Sequence, residues 1–136
     1  MSQPDAAQIP ILAALSAKDR EKVLRYAKQR TYVPGDTVIR EGDGSLYLFL
    51  IAGGHARVLG PDGAIVAVLQ PGSFFGELGL IEEHPRTATV VADDELTCVL
   101  LPAWEFRSLL AEHPEMAVPM VHELIRRLHR MSPHQH

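Results

Sequence analysis

The sequence predicts a mainly β protein, a small antiparallel sandwich or barrel of short strands with one helix ahead of it and two behind. Three observations lead there. All ten glycines lie between Gly35 and Gly79, and glycine serves turns while weakening helices. Through the middle of the chain, short β-rich runs alternate with turn signals at the regular spacing of an all-β domain. Toward both ends the apolar residues instead repeat at helical intervals.

Each element has its own warrant. Residues before Gln8 read as a loose polar arm. Ser16 is a good N-cap for a helix from about Ala17 to Gln29, in which Leu15, Val23, Leu24 and Ala27 fall roughly on one face. Pro34-Gly35 turns the chain after Thr31-Tyr32-Val33. Thr37 to Ile39 is a short strand closed by Glu41-Gly42-Asp43-Gly44, and Leu46 to Ile51 is an apolar run ended by Gly53-Gly54. Ala56 to Leu59 and Ala64 to Leu69 flank Gly60-Pro61-Asp62-Gly63, a hairpin signal, and Pro71-Gly72 turns the chain again. Thr87 to Val91 and Leu96 to Leu101 flank Asp93-Asp94, and Cys98 alternates with apolar neighbours as a core residue does.

The last part returns to helix. Pro102 to Ala111 gives a short helix whose Trp104 and Phe106 anchor it on the sheets. Pro114 suits the first position of the next, which runs to about Met131 with Pro119 as a point of kinking. Within it Ala117, Val121, Leu124, Leu128 and Met131 repeat in steps of four and three. That seam can pack on the β-body, the simpler occupant, or on a partner helix in a homodimer.

Length and composition bound the function. The 136 residues predict one domain over residues 1–136, with a core of about 11–131 and flexible ends. Thirteen basic against 17 acidic residues give a net charge of −4, which argues against direct nucleic-acid binding. The longest apolar stretch, Leu46 to Ala52, is far too short to cross a membrane. No charged leader followed by an apolar run opens the chain, so no secretory signal is expected. Cys98, the single cysteine, permits neither an internal disulfide nor a cysteine zinc cage, and a cytoplasmic setting follows.

The histidines and acids do not assemble a reactive centre. His134 and His136 stand in the terminal tail, where fraying is the simpler reading than a metal site. His55, His84, His113 and His122 lack ligand spacing, and Glu82-Glu83 reads as a solvated loop pair. No nucleophile with a base and an orienting group is legible, so the expectation is no enzyme, no metal and no cofactor.

The informative stretch is Phe74-Phe75-Gly76-Glu77-Leu78-Gly79-Leu80-Ile81 followed by Pro85-Arg86-Thr87-Ala88-Thr89. A glycine lets backbone approach an anion, and free N–H groups at the start of a helical turn favour negative charge. Arg86, nine residues after Glu77, supplies a guanidinium fork suited to two phosphate oxygens, and Thr87 adds a hydroxyl. Glu77 would repel the same anion, so its carboxylate suits a sugar hydroxyl instead. An anion with a sugar diol describes a nucleotide-like ligand. Each piece alone is an ordinary turn or surface charge; the force lies in their joint spacing.

Those segments resemble the phosphate-binding cassette of the cyclic nucleotide-binding domain family, which includes the catabolite activator's sensor domain, protein kinase regulatory domains and the gating domains of cyclic nucleotide-regulated channels. The likeness extends to Gly35, Glu41-Gly42-Asp43, Leu48-Phe49-Leu50-Ile51 and Gly54, then to Phe106-Arg107-Ser108-Leu109-Leu110 and His113-Pro114, and covers roughly Ile11 to Met131. It implies the family's antiparallel β-roll, a jelly roll of about eight strands with one N-terminal and two C-terminal helices. It implies that Arg86 pairs with the cyclic phosphate, helped by backbone of Phe75, Gly76, Leu78, Gly79 and Ala88, and that Glu77 accepts from the ribose 2′-hydroxyl. Thr87 would contact phosphate or base. Val58, Val66 and Leu69 match positions that pack against the purine, and Arg127 or Met131 on the last helix would lie nearest the nucleotide as a lid.

The function implied is reversible binding of cyclic AMP, favoured over cyclic GMP, without turnover, coupled to movement of the last helix and through it to an effector protein. Two alternatives stand beside it: a sensor fragment of a larger transcription regulator or channel, and a structural or interaction module of the same fold that binds no nucleotide.

Overall fold

The computed structural model describes residues 8–40, 47–76 and 89–131, with side chains to residue 129. A short helix, α1 (Pro10–Ala13), precedes α2 (Ala17–Tyr26). Eight strands follow among the described residues: β1 (Lys28–Tyr32), β2 (Thr37–Ile39), β3 (Tyr47–Gly53), β4 (Ala56–Leu59), β5 (Ile65–Leu69), β6 (Phe74–Phe75), β7 (Thr89–Ala92) and β8 (Leu96–Pro102). Helix α3 (Ala103–Glu112), a 3₁₀ turn (Pro114–Met116) and α4 (Ala117–Met131) complete the chain's described part.

The strands make two antiparallel sheets, ordered β1-β8-β3-β6 and β2-β7-β4-β5. Between the sheets lie Ile39, Phe49, Ile51, Leu69, Phe75, Val90, Cys98 and Leu100. On the other side of the first sheet, Leu48, Leu50, Phe74, Val99 and Leu101 meet Ile11, Leu12, Val23, Phe106, Met116 and Met120 from the helices. Side chains alternate across a strand, so a run such as Leu48 to Ile51 is apolar at every position because both of its faces are covered. Burying each such side chain contributes about 1.5–3 kcal/mol. An exposed ion pair such as Arg57–Asp93, 3.0 Å apart, contributes about 0–1 kcal/mol. The two apolar layers therefore hold the fold.

Several elements depart from the sequence expectation for identifiable reasons. The first long helix ends at Tyr26 rather than Gln29, because Lys28 and Gln29 pair with Leu100 and Val99 of β8. Its start is as expected, with the Asp19 N–H donating to Ser16 Oγ at 3.2 Å. Helix α1, which no sequence signal singled out, uses Pro10 at its first turn and buries Ile11 and Leu12. Trp104 does not anchor α3: it is 68% exposed, whereas Phe106 is 3%. The inward face of that helix is Ala103, Phe106, Leu109 and Leu110, and Trp104 falls one residue, or about 100°, off it. Pro119 causes no break, because it lies in the first turn of α4, where a missing N–H costs little.

The seam on α4 is also not the one that the apolar spacing picks out. The helix sets down on Met120, Glu123 and Leu124, beside Met116 of the 3₁₀ turn, while Val118, Val121, Ile125 and Leu128 face away. A shallow cavity lined by Ala117, Val118, Val121 and His122 opens on that outer side. Cys98 sits in the core as expected, and burial pushes its thiol up to about 12. His55, outside the strands, clasps the β7–β8 connection. Its N–H donates to Asp94 Oδ1 at 2.6 Å and its ring Nδ1 lies 2.7 Å from Asp94 Oδ2. These bonds from His55 hold the Asp94 carboxyl below the usual carboxylate range.

Candidate functional site

The segment that leads into the glycine–glutamate motif is built by the first sheet. Gln70 to Ser73 form a turn closed by the Ser73 N–H donating to the Gln70 carbonyl at 3.0 Å. The turn is bound to β3 on both sides: the Ile51 N–H donates to the Ser73 carbonyl at 2.9 Å, and the Gly72 N–H donates to the Ile51 carbonyl at 2.8 Å. Phe74 and Phe75 then pair with Leu50 and Phe49 as the two-residue strand β6. Alternation sends Phe74 toward the helices and Phe75 between the sheets. The Phe75 ring stacks on Phe49, with centroids 4.7 Å apart and planes 9° from parallel.

Gly76 follows with φ of +92°, a left-handed conformation that side chains disfavour. A left-handed residue thus follows directly on a rigid aromatic pair. Such an arrangement can aim amides at an anion.

Glu77, Leu78, Gly79, Arg86, Thr87 and Ala88 lie outside the described residues, as does the side chain of Met131. The remaining candidates are placed as follows. Val58 on β4 is half-buried and faces the inter-sheet core. Leu69 is 1% exposed and enclosed in that core, whereas Val66 is 42% exposed. An odd spacing along a strand puts Val66 and Leu69 on opposite faces of β5, so the structure does not bring those two together. Arg127 points back at the roll: its guanidinium stands 4.5 Å from the centre of the Phe74 ring. Its Nη2 donates to Ser73 Oγ at 3.0 Å.

Two residues absent from the sequence reading complete this corner. Glu123 is buried, and its carboxylate accepts a hydrogen bond from Ser73 Oγ and another from Arg127 Nε at 3.3 Å. Glutamate four residues before arginine on one helix is a legible pair. The distant Ser73 partner leaves no sequence signal. Among the described residues no group of His, Cys, Asp or Glu is arranged to hold a metal ion, and no helix is long and apolar enough to cross a membrane.

A family model for the cyclic nucleotide-binding domain matches residues 29–113, from β1 to the end of α3. The chain belongs to the cyclic nucleotide-binding domain family. A cAMP-dependent protein kinase regulatory subunit of Pyricularia oryzae is 36% identical over 105 residues, covering 76% of this chain and 27% of that protein. The crystal structure of the Thermus thermophilus catabolite activator protein superposes with a TM-score of 0.73 at 28% identity, over 91% of this chain and 60% of that one. The regulatory domain of Toxoplasma gondii protein kinase A, crystallised with cAMP, gives 0.72 at 25% identity, over 86% and 47%. This chain spans about a quarter of the length of the kinase regulatory subunits it matches. As in other cyclic nucleotide-binding domains, the fold is an antiparallel β-roll flanked by helices.

Proposed function

We propose that this cyclic nucleotide-binding domain binds cyclic AMP in preference to cyclic GMP, reversibly and without turnover, and passes its occupancy on through α4. The observation that carries the proposal is the packing of α4 on Ser73 and Phe74, three and two residues before Gly76. A helix resting there meets any ligand that fills the cassette. A ligand shifts such an element only by binding its docked position more tightly.

In this reading Arg86 pairs with the cyclic phosphate alongside backbone amides from Phe75 to Gly79 and at Ala88. Glu77 accepts from the ribose, and Thr87 adds a hydroxyl. Val58 and Leu69, which share the inward face of their hairpin, pack toward the base, and Val66 on the opposite face of β5 does not join them. Arg127 or Met131 on α4 lies nearest the nucleotide as the lid.

Calorimetric titration with both nucleotides tests it. Binding heat with cyclic AMP and a higher melting temperature in its presence are expected. No heat and no thermal shift with either nucleotide at millimolar concentration would sink the reading in favour of a non-binding module. Arg86→Lys is expected to weaken binding by about 1.5–3 kcal/mol, because a point charge does not reproduce the guanidinium fork. An unchanged affinity would put the phosphate elsewhere.

The outer face of α4 supports a second part of the reading, a homodimer through that helix. Val118, Val121, Ile125 and Leu128 stand exposed at steps of three, four and three, the pattern of a two-helix seam. Sedimentation velocity of Leu128→Glu against the native chain checks it. A dimer that dissociates on substitution is expected, and a native monomer at every concentration overturns it.

A further inference from the structure

Helix α4 carries a buried acid that no nucleotide contact calls for. The side chain of Glu123 is 9% exposed. Its Oε1 accepts from Arg126 Nη2 at 3.1 Å, and its Oε2 accepts from Ser73 Oγ–H and from Arg127 Nε. Arg127 closes a ring of bonds by donating to Ser73, and its guanidinium covers Phe74. Ser73 itself is fixed, since its turn is bonded on both sides to Ile51 of β3. One side of this ring is therefore rigid sheet, and the other is the helix.

We propose that Ser73, Glu123 and Arg127 form a latch that sets where α4 rests, and that Glu123 is a positioning residue for the ligand site; this rests on the reading above that α4 closes over a bound cyclic nucleotide. The apolar contacts of α4 through Met120 and Leu124 are non-directional. They would tolerate a small slide or roll. A carboxylate is different, because taking it out of water is costly unless its partners are in place. Helix α4 can settle only where Glu123 meets Ser73. A displacement by one turn would take the acid away from Ser73 and leave it only Arg126 and Arg127 of its own helix. The latch sits on the residues next to Phe75 and Gly76, so the position it enforces is also the position of the helix relative to the cassette. Arg127 acts on the position of α4 through Glu123, Ser73 and Phe74.

The helix that is docked is the helix the ligand needs, so weakening the latch lowers the docked fraction and the apparent affinity with it. Ser73→Ala removes one hydroxyl, and Glu123→Gln removes the charge while keeping the shape. Hydrogen exchange on the ligand-free chain should show residues 117–131 exchanging about tenfold faster in either variant, with β3 and β8 unchanged. Cyclic AMP affinity should fall by a similar factor. The double variant should lose less than the sum of the two single changes, because both cut the Ser73–Glu123 link.

Unchanged exchange over residues 117–131 in both single variants overturns the latch. So does an increase spread equally over α3 and α4, which is what a merely structural role would give. Loosened α4 with native affinity overturns the positioning role. If the native chain binds neither cyclic nucleotide, the function proposed above fails while the exchange arm still decides the latch.

Discussion

Gly54→Ala is expected to cost roughly 2–6 kcal/mol of folding free energy, the sum of left-handed backbone strain and forced overpacking. Gly54 has φ of +80°, and a methyl group there would stand 2.0 Å from the Glu95 carbonyl oxygen and 2.8 Å from Asp94 Oδ1. The nearer atom is backbone, in the connection that β4 grips through His55 and Asp94 and through the Asp93 N–H donating to the His55 carbonyl at 2.9 Å. Neither strand connection can give way without losing that clasp. At about 4 °C per kcal/mol for a chain of this size, the melting temperature should drop by about 8–24 °C. Gly53→Ala is the control, since nothing lies within 4 Å of a methyl group there. Its melting point should stay within a few degrees of the native one. Equal melting of the two variants would show that the β3–β4 turn is not held as described.

Phe75→Ala should cost about 3–5 kcal/mol, the usual range for truncating a buried aromatic side chain. Phe75 is 3% exposed and stacked on Phe49, which has Tyr47 edge-on at 6.5 Å. Removing the ring opens a void between the sheets beside Ile51, Leu69 and Leu100. Against a typical total of 5–15 kcal/mol, this is a large share. Because Gly76 comes next, the loss should also loosen the start of the cassette. Urea denaturation measures the first effect, and titration of the folded fraction with cyclic AMP measures the second. Phe75→Leu, which keeps most of the volume, should lose less than half as much. A loss below about 1 kcal/mol for Phe75→Ala would contradict the central place given to this stack.

Local signals survived into the structure, and long-range ones were invisible in the chain. The hairpin of β4 and β5 was legible because Gly60-Pro61-Asp62-Gly63 specifies its own turn. The N-cap at Ser16 was legible for the same reason. The helix–strand boundary near Lys28 was not, because what pulls Lys28 and Gln29 into a strand is β8, far along the chain. Apolar spacing alone does not mark the buried face of α4, because Glu123 and Arg127 lie on that face. The expectation of a cassette rests on a motif, Phe75-Gly76-Glu77 with Arg86 at a fixed interval, most of which lies outside the described residues. Ser73, three residues before Gly76, looked like any turn serine until α4 was seen to rest on it.

The strand orders carry a consequence for time. The last two strands along the chain, β7 and β8, do not join at the margins of their sheets. Each sits between two earlier strands, β7 between β2 and β4 and β8 between β1 and β3. As a ribosome delivers the chain, β1 has no neighbour among the described residues until Leu96 to Leu100 emerge, and β2 waits likewise for β7. Among the described strands, only the β4–β5 hairpin and the brief β3–β6 contact can form early. Folding therefore ends with an insertion rather than an extension, and until that step the earlier strands present bare backbone that other chains could pair with.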